Sequence, residues 1–250
     1  NKYQINNVII WLAGNEKENI LKKIKNINID ELDENKISKI LNSINSHFGI
    51  IVYTNKLFFA GVDCARTYPI FWTQSKKKIF ISPQANIISN LLSSKINEKQ
   101  LVAFQMSGYT IGQGTLWEDI NNINSGSFLL VKNNTKPIIN RYFLYDPWIV
   151  KEKSYLNLKK LLKLEILNVL KNIISKANQR TIIIPLSAGL DSRLIASGLR
   201  ELNYEKVKCF SYGLKDNYES KASRYISKKL NYDWDFIELK HKEIYNFFND

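Results

Sequence analysis

Cysteine and histidine are scarce in this chain of 250 residues, which contains two of each. Cys64 and Cys209 lie far apart in the sequence, and this spacing supports neither a disulfide framework nor a cluster of metal ligands. We therefore expect both thiols to be reduced and buried. His47 and His241 belong to no metal-binding repeat, so the sequence argues against a zinc site and against a serine–histidine catalytic triad.

Long apolar runs are also missing from the sequence. No window of about 18 residues is apolar throughout, which argues against a membrane-spanning helix. The segment from Asn1 to Trp11 lacks the charged-then-apolar order of a secretory signal. These absences predict a cytoplasmic protein without a membrane partner. With 44% hydrophobic residues, the chain can form a globular core, and we expect two modest domains.

Acidic residues are outnumbered, since 36 Lys and Arg stand against 23 Asp and Glu and the formal net charge is +13. Such a balance raises the question of nucleic acid, because clustered basic residues neutralise phosphates. Here the basic residues are mostly scattered, and runs such as Lys76-Lys77-Lys78 lie beside apolar residues. We therefore favour a solvated basic surface over a nucleic-acid groove, because charge runs alone have weak specificity.

Short runs rich in β-branched and aromatic residues, separated by turns, fill the chain from about Asn6 to Tyr145. Two of them flank Thr54-Asn55-Lys56, a connection suited to a β-hairpin. The pattern predicts antiparallel sheets with a few short helices. The predicted strands are Val8–Leu12, Phe48–Tyr53, Leu57–Val62, Lys78–Ser82 and Ser127–Val131.

The pattern changes around Asp146-Pro147-Trp148, where we place the boundary between a first domain, residues 1–147, and a second, residues 148–250. From Ser154 onward, apolar residues recur at three- and four-residue steps, as in a surface helix packed on a sheet. These apolar positions are Leu158, Leu162, Ile166, Val169, Leu170 and Ile173.

Alternating strands and helices follow in the second domain. The unbroken apolar run Thr181–Ile184 predicts a strand that is buried on both faces. Strand, helix, strand, helix and strand at this spacing predict a parallel α/β sheet with right-handed crossovers. The later predicted elements are Ser192–Leu202, Val207–Tyr212, Glu219–Leu230 and Trp234–Leu239.

Small residues dominate the segment Leu186-Ser187-Ala188-Gly189-Leu190-Asp191-Ser192, which joins the first of these strands to its helix. A strand that ends in small residues and opens a helix gathers free backbone N–H groups at the positive end of the helix dipole, where phosphate binds. The hydroxyls of Ser187 and Ser192 can donate to phosphate oxygens. Asp191 would repel a bare phosphate, so its presence indicates Mg²⁺ that bridges carboxylate and phosphate. The Gly-Lys-Ser/Thr signature of a Walker loop is absent.

A structural explanation of the same residues stays open. Ser, Gly and Asp are also the usual capping residues at the start of a helix, and Asp191 or Ser192 could be a plain N-cap. The surrounding strand, helix and second strand favour the nucleotide interpretation over a cap.

Pro185–Ser192 resembles the S-G-G-x-D-S loop of the N-type ATP pyrophosphatases, and its continuation Arg193-Leu194-Ile195-Ala196 is similar to the asparagine-synthetase branch. Cys209–Leu214, followed by Tyr218-Glu219-Ser220, is similar to that family's second strand and the acidic turn after it. The resemblance implies an α/β domain of the adenine-nucleotide α-hydrolase-like fold. One departure is Ala188, where the family usually has glycine, and we expect the added methyl group to weaken binding without abolishing it.

The same resemblance implies a role for each residue of the site. ATP and Mg²⁺ would be bound by the segment Leu186–Ser192, with Asp191 as the metal ligand. The residues implied as catalytic are Asp191, Ser187 and Ser192. The end of the second strand borders the adenine and ribose in that family, and this role falls on Phe210, Ser211 and Tyr212.

The segment from His47 to Trp72 resembles the glutaminase domain of the same family, with Asp63, Arg66 and Pro69 at matching places. The resemblance implies antiparallel sheets of the Ntn-hydrolase type, in a truncated or degenerate form. That family uses an N-terminal cysteine as nucleophile, whereas residue 1 here is Asn. Neither internal cysteine can take that role, and Ala13-Gly14-Asn15 is only a faint echo of the family's Asn-Gly segment. We expect a lost front end, or a branch that takes free ammonia or another amine, and a synthetase domain that continues beyond Asp250.

Together these features predict an asparagine-synthetase-like ligase that forms an acyl-adenylate, releases pyrophosphate and transfers the acyl group to ammonia or an amine. A tRNA-modifying pyrophosphatase and a non-catalytic remnant or partner of a synthetase stay open as alternatives. The expected partners are a small-molecule carboxylate and an amine or ammonia, and we expect no nucleic acid. A homodimer and a separate subunit that supplies ammonia stay open, and the acceptor acid is undetermined.

Overall fold

The computed structural model describes residues 1–14, 16–25, 27–76, 78–132, 135–148 and 154–240, together with residues 245 and 247. The chain divides into two compact units, Asn1–Ile149 and Val150–Asp250, and each is described by itself. Within the described residues, no helix has both the length and the apolar character needed to cross a bilayer.

The N-terminal unit contains two antiparallel sheets. Its elements are β1 Lys2–Ile5, β2 Val8–Gly14, α1 Lys17–Lys25, α2 Glu34–Asn42, β3 Phe48–Tyr53, β4 Leu57–Val62, β5 Phe71–Ser75, β6 Lys78–Ser82, α3 Ala85–Leu92, α4 Glu98–Ser107, β7 Asn121–Asn122, β8 Ser127–Lys132 and β9 Ile138–Arg141. Six strands form the larger sheet in the order β1-β2-β3-β4-β8-β9, and β6-β5-β7 form the smaller one. The prediction of antiparallel sheets in this part of the chain is confirmed.

Alternating side chains of the larger sheet build two separate cores. One face packs against α1 and α2, where Ile24, Ile37 and Ile50 are almost completely buried. The other face meets the smaller sheet around Val62 and Leu129. Since α3 covers the far face of the smaller sheet, the layers run helix, sheet, sheet, helix.

The predicted hairpin is confirmed, because β3 and β4 pair from Tyr53↔Phe58 to Gly49↔Val62. Strand β1 was not predicted, since its polar sequence Lys-Tyr-Gln-Ile has few β-branched residues and only its pairing with β2 makes it a strand. Of the two thiols expected to be buried, Cys209 is buried and Cys64 is exposed. The prediction for Cys64 was wrong because this residue lies in the turn after β4.

The C-terminal unit contains one parallel sheet in the order β10-β11-β12. Its elements are α5 Tyr155–Ala177, β10 Ile182–Pro185, α6 Leu190–Glu201, β11 Val207–Gly213, α7 Tyr218–Leu230 and β12 Asp233–Glu238. The alternation predicted from the sequence and the parallel pairing are both confirmed. The core lies between the sheet and the helices, around Ile184, Leu199 and Cys209.

The prediction that β10 is buried on both faces was wrong. Ile184 is buried, whereas Ile183 on the opposite face is 64% exposed. Helices α6 and α7 pack into the same core on one face of the sheet, where they contact each other. Two helices on one face leave the other face of the sheet uncovered within the described residues.

Helix α5 also departs from its prediction. It contacts α6, and its partly buried Ile166 and Ile174 pack with Leu170 into the core of the unit, whereas among its described residues only Leu170 is buried. The side chains of Leu158, Leu162 and Val169, predicted to pack on a sheet, are at least about half exposed. Contact with α6 is close because Gly198 lacks a side chain, and a Cβ atom there would lie 2.2 Å from Leu170 Cδ1.

Candidate nucleotide site

The segment that carries the predicted site leaves the carboxyl end of β10 and enters α6. The backbone N–H of Leu186 donates to the carbonyl of Phe210 at 2.8 Å, which continues the β10–β11 ladder one residue past the strand. The Leu186 side chain is buried in the core of the unit. Leu186 therefore holds the segment to the sheet, and the residues after it lead into α6.

Two serine hydroxyls join the ends of the segment. The backbone N–H of Ser187 donates to Ser192 Oγ at 3.1 Å, and the two Oγ atoms lie 3.0 Å apart. Ser187 Oγ also accepts from the backbone N–H of Gly189 at 3.1 Å. The Oγ–Oγ contact uses one of the two hydroxyl hydrogens, so the pair retains one hydrogen that can be donated to a ligand.

Helix α6 begins without a side-chain cap. Its N-cap residue is Gly189, in an extended conformation, and no described side chain accepts a hydrogen bond from the first-turn backbone there. Neither Asp191 nor Ser192 is the N-cap, so the simple capping explanation of these residues was wrong. The first-turn N–H groups and the positive end of the helix dipole are available to an anion. The exposed Asp191 lies in the same turn.

The side chain of Arg193 stabilises the segment through a hydrogen bond, a role that the sequence did not indicate. Its Nη2 group donates to the carbonyl of Ala188 at 2.8 Å, and its buried Nε atom has no hydrogen-bond partner within the described structure. The contact fixes the orientation of the peptide after Ala188. This role is visible only from the contact between the Arg193 side chain and the carbonyl five residues earlier, and no residue pattern predicts it.

The three residues assigned to the adenine and ribose lie on different faces of β11. Ser211 points towards the helices and is buried, and its Oγ atom has no partner among the described residues. Phe210 and Tyr212 lie on the opposite face, with ring centroids 6.3 Å apart, and Tyr212 is 58% exposed. The structure therefore places Ser211 on the α6 side of the sheet, and it separates the two rings from Ser211.

The side chains present fit a metal–polyphosphate group. An uncapped helix start, a residual serine hydrogen and the unpartnered Ser211 hydroxyl are all donors without acceptors. No group of three or more His, Cys, Asp or Glu side chains in the described ranges could hold a metal by itself. A cation at Asp191 would therefore take most of its oxygen ligands from phosphate and water, as Mg²⁺ commonly does.

The N-terminal unit offers a different environment at its first residue. A cavity of about 920 Å³ between the two sheets is lined mainly by apolar side chains such as Trp11, Phe58 and Phe80, with Asn1 at its margin. The α-amino group of Asn1 donates to the carbonyl of Leu12 at 2.9 Å. Cys64 does not line this cavity. Cys209 belongs to the other unit, where burial raises the pKa of its thiol.

The chain is similar to several solved structures, including two at low sequence identity. One is the glutamine phosphoribosylpyrophosphate amidotransferase from B. subtilis complexed with ADP and GMP, at 11% identity and a TM-score of 0.33, with 98% of this chain and 52% of that chain covered. The other is described as the allosteric regulatory enzyme of purine biosynthesis, at 13% identity and a TM-score of 0.35, with coverages of 94% and 46%. The chain spans about half the length of each. Both TM-scores are too low to bear on fold or function.

Sequence comparison is more specific in the C-terminal unit. No curated protein matches the chain. Residues 177–250, which include β10, the serine-containing segment and α6, match the asparagine synthase family model.

Proposed function

We propose that the chain is part of an ATP-dependent carbon–nitrogen ligase of the asparagine-synthetase type. The open start of α6, Gly189–Ser192, carries this proposal, because it lies within the segment that matches the asparagine synthase family. Uncapped N–H groups, a serine pair and a single exposed carboxylate are what a metal-bound polyphosphate requires. The substrates in this proposal are a small carboxylate and either ammonia or an amine, taken from solution or supplied by a separate subunit.

Bound magnesium–ATP would supply the means to convert the substrate carboxylate into an acyl-adenylate, with release of pyrophosphate. Asp191 would hold the cation against the phosphate oxygens. The first-turn N–H groups of α6 and the free hydroxyl hydrogen of the Ser187–Ser192 pair would donate to the pyrophosphate as its charge develops. Arg193 would keep the Ala188 peptide oriented during this step. Catalysis would be mainly electrostatic, because none of these groups takes up or releases a proton.

Calorimetric titration of the purified chain with ATP in the presence and absence of Mg²⁺ tests the binding step. We expect Mg²⁺-dependent binding, and Asp191→Asn should weaken it about tenfold or more because a charged metal ligand is lost. Glu219→Gln is the matched control, since Glu219 occupies the same position in the first turn of α7. Unchanged affinity in Asp191→Asn, or equal loss in both variants, would contradict the proposal.

Pyrophosphate release tests the chemistry. The chain is supplied with ATP, Mg²⁺, ammonium and either aspartate or a panel of other carboxylates, and release that requires one carboxylate supports the ligase. Release that depends instead on added total tRNA would favour a tRNA-modifying enzyme. Nucleotide binding without release under any of these conditions would favour a non-catalytic protein.

A further inference from the structure

The N-terminal unit also contains a polar cavity of about 400 Å³, separate from the large apolar cavity. It is formed by the turn after β4, the residues before β8 and the end of β9. Among its nine lining residues are two arginines and no acidic residue. A volume in this range suits a small molecule. The lining residues used below are Cys64, Arg66, Asn124, Ser125 and Arg141.

Arg66 is held in this cavity by a strained backbone and a neutral partner. Its φ angle is +54°, in the left-handed region that residues other than glycine seldom adopt. Its Nη1 group donates to Asn122 Oδ1 at 2.6 Å, and Asn122 is itself buried and donates to the carbonyl of Gly114 at 3.1 Å. The remaining guanidinium donors are left for the cavity.

The nearest carboxylate in sequence does not neutralise Arg66. Asp63 is buried, and its oxygens accept from the backbone N–H groups of Phe48, Ala65 and Thr67 and from Thr67 Oγ1, at 2.8 to 3.4 Å. Through these hydrogen bonds, the Asp63 carboxylate stabilises the turn after β4. Partial burial without a counter-charge lowers the pKa of the Arg66 guanidinium. A partly buried guanidinium whose side-chain partner is neutral favours the approach of an anion.

Arg141 adds a second positive charge to the same cavity. It is the last residue of β9, pairs through its backbone with Ser127, and has no ion pair within the described part of the chain. Asn124 and Ser125 supply an amide and a hydroxyl that can complete hydrogen bonds to oxygen atoms. Two guanidinium groups without ion pairs among the described residues, together with neutral donors lining the same cavity, have the chemistry that recognises carboxylate and phosphate.

We propose that this cavity binds a small molecule bearing an oxyanion, with Arg66 and Arg141 as its charged ligands and Asn124 and Ser125 as neutral donors. The oxyanion is a carboxylate or a phosphate. Nothing in this site depends on nucleotide binding in the C-terminal unit, so the two proposals fail or succeed independently.

Cys64 provides a direct readout of occupancy, because its exposed thiol lines the cavity whereas Cys209 is buried. The whole chain is alkylated with N-ethylmaleimide, a neutral reagent, and the adduct at Cys64 is followed by mass spectrometry. Inorganic phosphate and succinate are added separately over a concentration series, with sodium chloride at matched ionic strength. We expect one or both oxyanions to slow alkylation saturably, and the one that protects identifies the class. Protection no greater than that by chloride would overturn the proposal.

Variants test which groups bind the oxyanion. Arg141→Gln, on an exposed strand end, and Arg66→Gln should each raise the concentration for half-maximal protection about tenfold. Lys99→Gln is the control, because it removes one positive charge from an exposed position of α4 outside the cavity. If Arg66→Gln does not fold, Arg141→Gln decides alone. Protection that is unchanged in Arg141→Gln, or reduced as much by Lys99→Gln, would contradict the assignment.

Discussion

Helices α6 and α7 follow neighbouring strands of one sheet and begin with similar sequences, Gly189-Leu190-Asp191-Ser192 and Asn217-Tyr218-Glu219-Ser220. Both have an acidic residue in the second helical position and serine in the third. Their hydrogen bonds differ completely. Asn217 Oδ1 accepts from the Ser220 N–H at 2.8 Å and its Nδ2 group donates to the carbonyl of Leu214 at 2.7 Å. The start of α7 is thus closed by its own side chain.

At α6 the glycine in the cap position cannot make these bonds. The hydroxyl of Ser192 reaches back to the N–H of Ser187, while Ser220 Oγ donates to the carbonyl of its own cap residue. Among the described residues, no side chain accepts from the first-turn N–H groups of α6, whereas in α7 the Asn217 side chain accepts from the N–H of Ser220. One residue before the helix therefore decides whether the same acidic first turn is a closed structural end or an open anion site.

The two helices also differ in what they bury. Helix α6 buries Ala196, Gly198 and Leu199, and α7 buries Ser220, Ser223 and Ser227. The α7 serines are satisfied, since Ser227 Oγ donates to the carbonyl of Tyr232 at 2.7 Å and Ser223 Oγ accepts from the Trp234 indole N–H at 2.5 Å. Apolar contact holds α6 to the sheet, and hydrogen bonds contribute more to α7.

Replacing one buried side chain on each helix measures this difference directly. Leu199→Ala should destabilise the C-terminal unit by about 3 kcal/mol, because a completely buried side chain is replaced by a cavity. Ser223→Ala should cost only about 1 kcal/mol, through loss of one hydrogen bond to Trp234. Hydrogen exchange of the β10–β12 amides, followed by mass spectrometry, measures both. Equal costs would show that the two helices are held in the same way.

A smaller effect separates the two helix starts. Asn217→Ala should destabilise the first turn of α7 by about 1 kcal/mol, because it removes the side chain that accepts from Ser220. Gly189→Ala should cost less, about 0.5 kcal/mol, because glycine is preferred to alanine at a helix cap but no side-chain cap bond is lost. Local hydrogen exchange at each helix start gives the comparison, and a comparable loss at Gly189 would mean that α6 is already capped.

A cap side chain placed at α6 would make its start resemble that of α7. Gly189→Asn introduces a cap side chain, whose Cβ atom would lie 3.1 Å from the movable Ser187 Oγ. We expect stability to rise by a few tenths of a kcal/mol and magnesium–ATP affinity to fall, because the cap occupies N–H groups that the phosphate would use. Hydrogen exchange and calorimetric titration measure the two changes. An affinity that stays the same would show that those groups do not bind the nucleotide.

Local sequence patterns were sufficient for much of the fold. The turn Thr54-Asn55-Lys56 between two apolar runs located the β3–β4 hairpin, and the alternating elements after residue 181 located the parallel sheet. Strand β1 could not be found in this way, because its pairing with β2 and not its composition makes it a strand. The exposure of several apolar side chains of α5 was not predicted for a related reason. Periodicity identifies an apolar face, but it does not show whether another element covers that face.

The candidate site shows the same division. The position of Asp191, Ser187 and Ser192 at a strand-to-helix junction followed from the order of small residues after an apolar run. The support from Arg193 did not, since it depends on a contact across the turn. The separation of Ser211 from Phe210 and Tyr212 follows from the alternation of side chains along a strand, but only the packing of the helices decides that Ser211 is on the buried face. Whether these residues bind nucleotide stays a prediction.

Local sequence specifies the order of elements, the small, polar junction before α6 and the glycine that leaves this helix start uncapped, because these depend on residues close in the chain. The packing of distant elements, in contrast, leaves one face of the C-terminal sheet uncovered in the described residues and brings Arg66 and Arg141 to one cavity. The last two residues are 75 positions apart in the chain, the difference between their numbers. Their proximity depends on how β4, β8 and β9 pair, and no local pattern specifies that pairing.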